Sequence, residues 1–128
     1  MLEIGIGSGL NLPFYSPNAR LVIGLDPSPK LLTMARRASQ SGSLPVEFIE
    51  GSPEKIPLED ASADTVLTTW TLCSIPTVLD ALCEMRRVVK ADRTTVICRA
   101  RPSARPKCAP VAGSADPGLE APGRRLPS

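Results

Sequence analysis

Up to about Arg93, short unbroken apolar runs alternate with longer stretches in which apolar residues recur every three or four positions. "MLEI" reads as the end of a first strand and "RLVIGLD" (Arg20 to Asp26) as a second, an apolar run suited to a strand buried on both faces. "SPKLLTMARRAS" predicts a helix: Ser28 can cap it, Pro29 suits its first position, and Leu31, Leu32, Met34, Ala35 and Ala38 form one apolar face. "VEFIEG" is expected to be a third strand, "ADTVLTTWTL" a fourth and "TTVICRA" a fifth. Before the fifth, "TVLDALCEMRRVVK" (Thr77 to Lys90) repeats Val78, Leu79, Leu82, Met85 and Val89 at helical spacing. Strands alternating with helices imply an α/β fold with a doubly wound parallel sheet.

The pattern stops near the end. From Arg99 to Ser128 the sequence is rich in Pro, Ala, Arg and Gly, and its branched or large aliphatic residues are Val111, Leu119 and Leu126 alone. Such a tail buries too little apolar area to offset its ordering entropy, so 1–98 is expected to be the domain and 99–128 a disordered tail. Charge divides the same way: 9 basic against 11 acidic residues up to Arg93, then 6 against 2. The net charge of +2 over 128 residues demands neither nucleic acid nor a membrane surface. No apolar run approaches the roughly 18 residues of a membrane-spanning helix, and no secretory leader is visible, so a soluble, cytoplasmic chain is expected. Cys73, Cys83, Cys98 and Cys108 form no C-x-x-C pair and the chain has no histidine, which argues against zinc; reduced, mostly buried thiols and no metal are expected.

Candidate chemistry gathers in "LEIGIGSGLNLPFY" (Leu2 to Tyr15), with Gly5, Gly7 and Gly9 at alternate positions. Glycine permits positive φ and close approach of backbone to a ligand, and a turn after the first strand of a parallel sheet is where ligands bind. Amides following such a turn can face a polar or anionic group. Asp26, at the end of the second strand, is placed to accept hydrogen bonds from ribose hydroxyls, so the pair implies a nucleoside ligand. The dinucleotide fingerprint G-x-G-x-x-G would need glycine at position 10, where Leu10 stands, and Asn11, Leu12 and Pro13 interrupt the helix entry a pyrophosphate needs. Glu3, two residues before the first glycine, is placed to meet a cationic amine. A ligand with an amino-acid end and an adenosine end fits better than a nicotinamide dinucleotide.

From Leu2 to about Lys90 the sequence resembles the class I S-adenosylmethionine-dependent methyltransferases, particularly the branch similar to ubiquinone/menaquinone-biosynthesis and phospholipid methyltransferases. "LEIGIGSG" resembles the first motif of that family, "GLDPS" (Gly24 to Ser28) the second, and "EGSPEKIPLEDASADTV" (Glu50 to Val66) the adenine-side segment. "WTLCSIP" (Trp70 to Pro76) resembles the segment bordering cofactor and substrate, and "EMRRVVK" the helix end before the family's Lys-Pro-Gly-Gly turn. The resemblance implies a Rossmann-like sheet of strand order 3-2-1-4-5, an enzyme that binds S-adenosyl-L-methionine, and a small-molecule or lipid-like methyl acceptor. The implied cofactor residues are Glu3, Gly5, Gly7, Ser8, Gly9, Asn11, Asp26, Pro27, Ser52, Pro53, Glu54, Thr71 and Leu72. No general base is nominated, because Asp26 and Glu54 are expected to be occupied by cofactor.

Plainer readings stand beside these. Asp26 can cap the following helix, Glu54 and Glu59 can be solvated loop acids, and Trp70 reads as core. Arg36-Arg37 and Arg86-Arg87 read as solvated helix faces. Two departures from the family matter. Ala91, Asp92 and Arg93 stand where it has Pro-Gly-Gly, and "CRARPSARPKC" follows where it has a glutamate-histidine pair. Synonymous codons for Thr94 through Ala121 also spell "RLLSVEHGRAPDPSVHRWQDRLTPVW" in a shifted frame, so the end reads as a frameshift product. Met1 falls in mid-course of the family's first strand. The chain is therefore expected to be the cofactor half of an enzyme, incomplete at both ends, and an inactive fragment is the alternative.

Overall fold

A computed structural model of the chain describes residues 1–98. The sequence elements appear in the expected order: β1 (Leu2–Ile4), β2 (Val22–Asp26), α1 (Pro29–Ser39), β3 (Val46–Glu50), β4 (Ala63–Thr69), α2 (Val78–Val88) and β5 (Val89–Cys98). Single 3-10 turns at Leu12–Phe14 and Leu72–Ser74 follow β1 and β4. The five strands form one sheet of order β3-β2-β1-β4-β5, with every pairing parallel. Strand order reverses at β1, whose two neighbours are β2 and β4, so the crevice for a ligand lies beyond the carboxyl ends of these strands.

The core forms because the strands are apolar on both faces. Leu2, Ile4, Leu25 and Val66 are wholly buried and cluster with Ala81, Met85 and Val88 of α2. Burying one such leucine or isoleucine contributes about 1.5–3 kcal/mol. On α1, Leu32 and Ala35 are buried outside that cluster, on a helix that packs against β2 and β3. Ser28 caps α1 by accepting the Leu31 N–H at 3.4 Å, and Arg36 and Arg37 in its last turn complement the helix dipole.

Several expectations are corrected. The buried stripe of α1 is narrower than its apolar face: Leu31 and Met34 are 37% and 53% exposed, and Ala38 is exposed too. In α2, Leu79 is 62% exposed, while Ala81 and Val88 take up the contact with the sheet. Trp70 is 66% exposed rather than core, because β4 ends at Thr69 and Trp70 adopts φ +58°, which turns it out of the strand. Cys73 has the free thiol that was expected, but it is exposed rather than buried. β5 starts at Val89, earlier than expected; its register jumps from Ala63↔Val89 to Thr65↔Thr94, so the intervening residues bulge beside the 2.8 Å Lys90–Asp64 ion pair. The expected tail, 99–128, lies outside the described residues.

Candidate functional site

Four loops leave the carboxyl ends of β1, β2, β3 and β4, and hydrogen bonds join them into one surface. The first is the glycine turn. Gly5, Gly7 and Gly9 have φ of +72°, +56° and +84°, the left-handed region in which a Cβ is strained. Two of them are also held by neighbours: a Cβ on Gly5 would fall 2.3 Å from Thr71 Oγ1, and one on Gly9 would fall 3.2 Å from Ala35 Cα on α1. Gly7 differs, because a Cβ there would meet nothing within 4 Å. Its face opens onto free space.

The second loop begins with Asp26, which is 6% exposed. Its Oδ2 accepts the Gly7 N–H at 3.0 Å and its Oδ1 accepts the Ser28 N–H at 2.8 Å. The acid thus braces the glycine turn and the entry to α1 together, while the cap of the helix is Ser28 rather than Asp26. Pro27 beside it is exposed. The third loop joins here, as Gly51 donates its N–H to the Asp26 carbonyl at 3.2 Å. Ser52 is exposed and its hydroxyl accepts the Glu54 N–H at 3.2 Å; Pro53 is buried. Glu54 is a half-buried loop acid whose Oε1 accepts the Thr77 N–H at 2.8 Å at the start of α2.

Glu3 lies underneath the turn at 1% exposure. Its Oε1 accepts from Asn11 Nδ2 at 2.7 Å and its Oε2 accepts the Tyr15 hydroxyl. Burial pushes its carboxyl above the usual 4.5, against the opposing pull of the Tyr15 and Asn11 hydrogen bonds. Glu3 therefore meets Asn11 and Tyr15 rather than open space, which corrects the expectation of an acid presented directly to an amine. Asn11 also donates to Thr69 Oγ1 at 3.2 Å, tying the turn to the end of β4. In the fourth loop, the Thr71 hydroxyl donates to the Thr69 carbonyl at 2.9 Å with its side chain against Gly5, whereas Leu72 packs on the core. Ser8 is half-buried in the turn. Tyr15 and Thr69 were not among the expected site residues; the signal available was that a buried Glu3 needs more than one hydrogen-bond donor.

A glycine turn braced by the acid that ends the neighbouring strand, at the reversal point of a 3-2-1-4-5 parallel sheet, defines a doubly wound, Rossmann-like α/β domain. Comparison with known proteins narrows the class. Residues 2–97 match the family described as Methyltransferase domain, and the chain belongs to that family, a class I S-adenosylmethionine-dependent methyltransferase by fold. It is 33% identical over 93 residues to Thiol S-methyltransferase TMT1B of Homo sapiens, covering 70% of this chain and 38% of that protein. It is 32% identical over 99 residues to Phosphatidylethanolamine N-methyltransferase of Cereibacter sphaeroides, covering 76% of this chain and 48% of that protein. Among solved structures, the YcgJ protein of Bacillus subtilis superposes with a TM-score of 0.71 at 29% identity, over 75% of this chain and 42% of that one. The chain thus spans less than half the length of these relatives. Among the described residues no helix is long and apolar enough to cross a membrane, and no cluster of three or more His, Cys, Asp or Glu side chains is arranged to hold a metal.

Proposed function

We propose that the chain carries the S-adenosylmethionine-binding half of a methyltransferase acting on a small-molecule or lipid-like acceptor. The observation that carries this reading is the open space in front of Gly7, on a turn held from behind by Asp26. A group lying against Gly7 touches backbone at the place where no side chain intervenes. The Asp26 carboxylate, engaged by two backbone amides, retains lone pairs with which to accept ribose hydroxyls. Ser52 and Glu54 would border the adenine, and Asn11, held by Glu3, and Thr71 would flank the methionine end. Bound there, the cofactor supplies a sulfonium methyl that is already a good electrophile, which leaves the protein to supply proximity and orientation.

Two observations support an apolar acceptor. Leu10, Phe14 and Trp70 are 79%, 85% and 66% exposed, and all three lie on the loops that follow β1 and β4. The named relatives include a thiol S-methyltransferase and a phosphatidylethanolamine N-methyltransferase, the second named for a lipid acceptor.

The test is an isothermal titration of the 128-residue chain with S-adenosylhomocysteine, repeated with Asp26→Ala. One-to-one binding weakened at least about tenfold by the variant is expected, since charged hydrogen bonds contribute about 1.5–3 kcal/mol each. A folded chain that does not bind, or an Asp26→Ala variant that binds as tightly as the parent, overturns the assignment.

A further inference from the structure

The loop between β3 and β4 has no regular structure, yet its backbone is pinned at close intervals by a single helix. Arg87, in the last turn of α2, donates from Nη2 to the Ile56 carbonyl at 2.8 Å, and from Nη1 to the Leu58 carbonyl at 2.8 Å and to Asp60 Oδ1 at 2.7 Å. Glu84, one turn earlier, accepts the Ile56 N–H at 2.8 Å and two further bonds from Arg87, at Nε and Nη2. Ile56 is therefore held by both of its backbone groups. The Arg87 carbonyl accepts the Ala61 N–H at 2.9 Å, and at the other end of α2 the Thr77 N–H donates to Glu54. The expected solvated arginine is in fact half-buried, with its side chain 17% exposed. Hydrogen bonds to Glu84 and then Asp60 raise its pKa, and the same contact with Arg87 lowers that of Glu84, so both charges persist through the ordinary pH range.

We infer that Arg87 and Glu84 are positioning residues for the nucleoside end of the cofactor: they touch no ligand, and they fix the loop that presents Ser52 and Glu54. The inference rests on the proposed cofactor site and deepens it. A guanidinium can satisfy two carbonyls and two carboxylates at once because its five donors lie in a fixed plane, and lysine offers no such fork. Without it, the Ile56 and Leu58 carbonyls lose their partner and the loop gains alternative paths, so part of the binding energy must go into ordering it. The effect should fall on affinity for the nucleoside portion, whichever group extends from the ribose.

The experiment titrates S-adenosylhomocysteine and 5′-methylthioadenosine into the parent chain, Arg87→Lys, Arg87→Met and Val88→Ala, below the unfolding midpoint of every variant. Val88 is wholly buried in the same helix, and its side chain carries no donor or acceptor for the loop, so Val88→Ala reports lost packing with the loop's hydrogen bonds in place. Both Arg87 variants should weaken both ligands about tenfold, an equal factor for each, while Val88→Ala keeps parental affinity. If the parent binds both ligands and the folded Arg87 variants bind them equally well, or if Val88→Ala loses as much affinity as they do, the positioning role is overturned and the cofactor site stands. If the parent binds neither, the site assignment and this inference fall together.

Discussion

Gly5 and Gly7 lie two residues apart in the same turn with similar backbone angles, and the structure predicts different failures for them. Gly5→Ala places a Cβ at φ +72° and 2.3 Å, 2.4 Å and 2.8 Å from Oγ1, Cγ2 and Cβ of Thr71. The left-handed backbone costs about 1–2 kcal/mol for an alanine, and displacing a packed side chain about 1–3 kcal/mol more. Moving Thr71 also breaks its bond to the Thr69 carbonyl. A total of about 2–5 kcal/mol would lower the unfolding midpoint of a domain this size by about 10 °C or more. Gly7→Ala bears the backbone term alone, because nothing lies within 4 Å of its Cβ. Its midpoint should fall by less than half as much. The new methyl group instead occupies the space assigned to ligand, and S-adenosylhomocysteine affinity should drop at least about tenfold. Thermal unfolding followed by far-UV circular dichroism and calorimetric titration separate the two quantities. Removing the Thr71 Oγ1 and Cγ2 with Thr71→Ala should recover part of the Gly5→Ala loss and none of the Gly7→Ala affinity loss. Equal midpoints for the two glycine variants, with undiminished binding by Gly7→Ala, would refute the reasoning.

Other outcomes follow from the core and the buried acid. Because burial raises the Glu3 pKa above 4.5, its contribution to stability is largest below pH 4.5 and is lost as pH rises through the folded value; Glu3→Gln should abolish that slope in urea titrations between pH 4 and 8. Glu84 has the opposite sign, since Arg87 lowers its pKa: its contribution is present above pH 4.5 and lost on acidification, so Glu84→Gln should reduce the acid sensitivity of unfolding. Thr68 Oγ1 is buried without a hydrogen-bond partner among the described residues, so the near-isosteric Thr68→Val should stabilise the chain by about 1 kcal/mol, measured as a shift in urea midpoint at constant slope. Leu25→Ala should cost about 2–5 kcal/mol by the same assay, as Leu25 is wholly buried in the cluster on α2.

What the sequence made legible was local. The Ser28 cap, Pro29 and the spacing of Leu32 and Ala35 are signals within one helix, and the run through Asp26 carries its own burial pattern. Asp26 could be named because position at a strand end suffices to place it. Misplaced residues are those whose surroundings come from elsewhere in the chain. Arg87 looks like any basic residue in a last helical turn until the loop from Ser52 to Ala61 folds across it. Trp70 continues the apolar run of β4, and only the turn that brings Thr71 against Gly5 rotates it outward. The start of β5 depends on a register shift against Ala63 and Thr65 that no periodicity encodes. Tyr15 became a partner of Glu3 only once the glycine turn had closed.

The central strand of the sheet is also its shortest and precedes both of its neighbours in the sequence. Leu2 pairs with Ile23 on one side and Val66 on the other, so β1 leaves the ribosome well before its second neighbour exists. At a synthesis rate of about 5–20 residues per second, β1 waits seconds with one edge unpaired. Its parallel partners all require chain closure over long loops, which slows folding and lengthens the interval in which "MLEI" is available to the wrong strand. The architecture that gathers four loops at one end of the sheet therefore leaves a defined segment for a nascent-chain helper to shield, and a time at which to let it go.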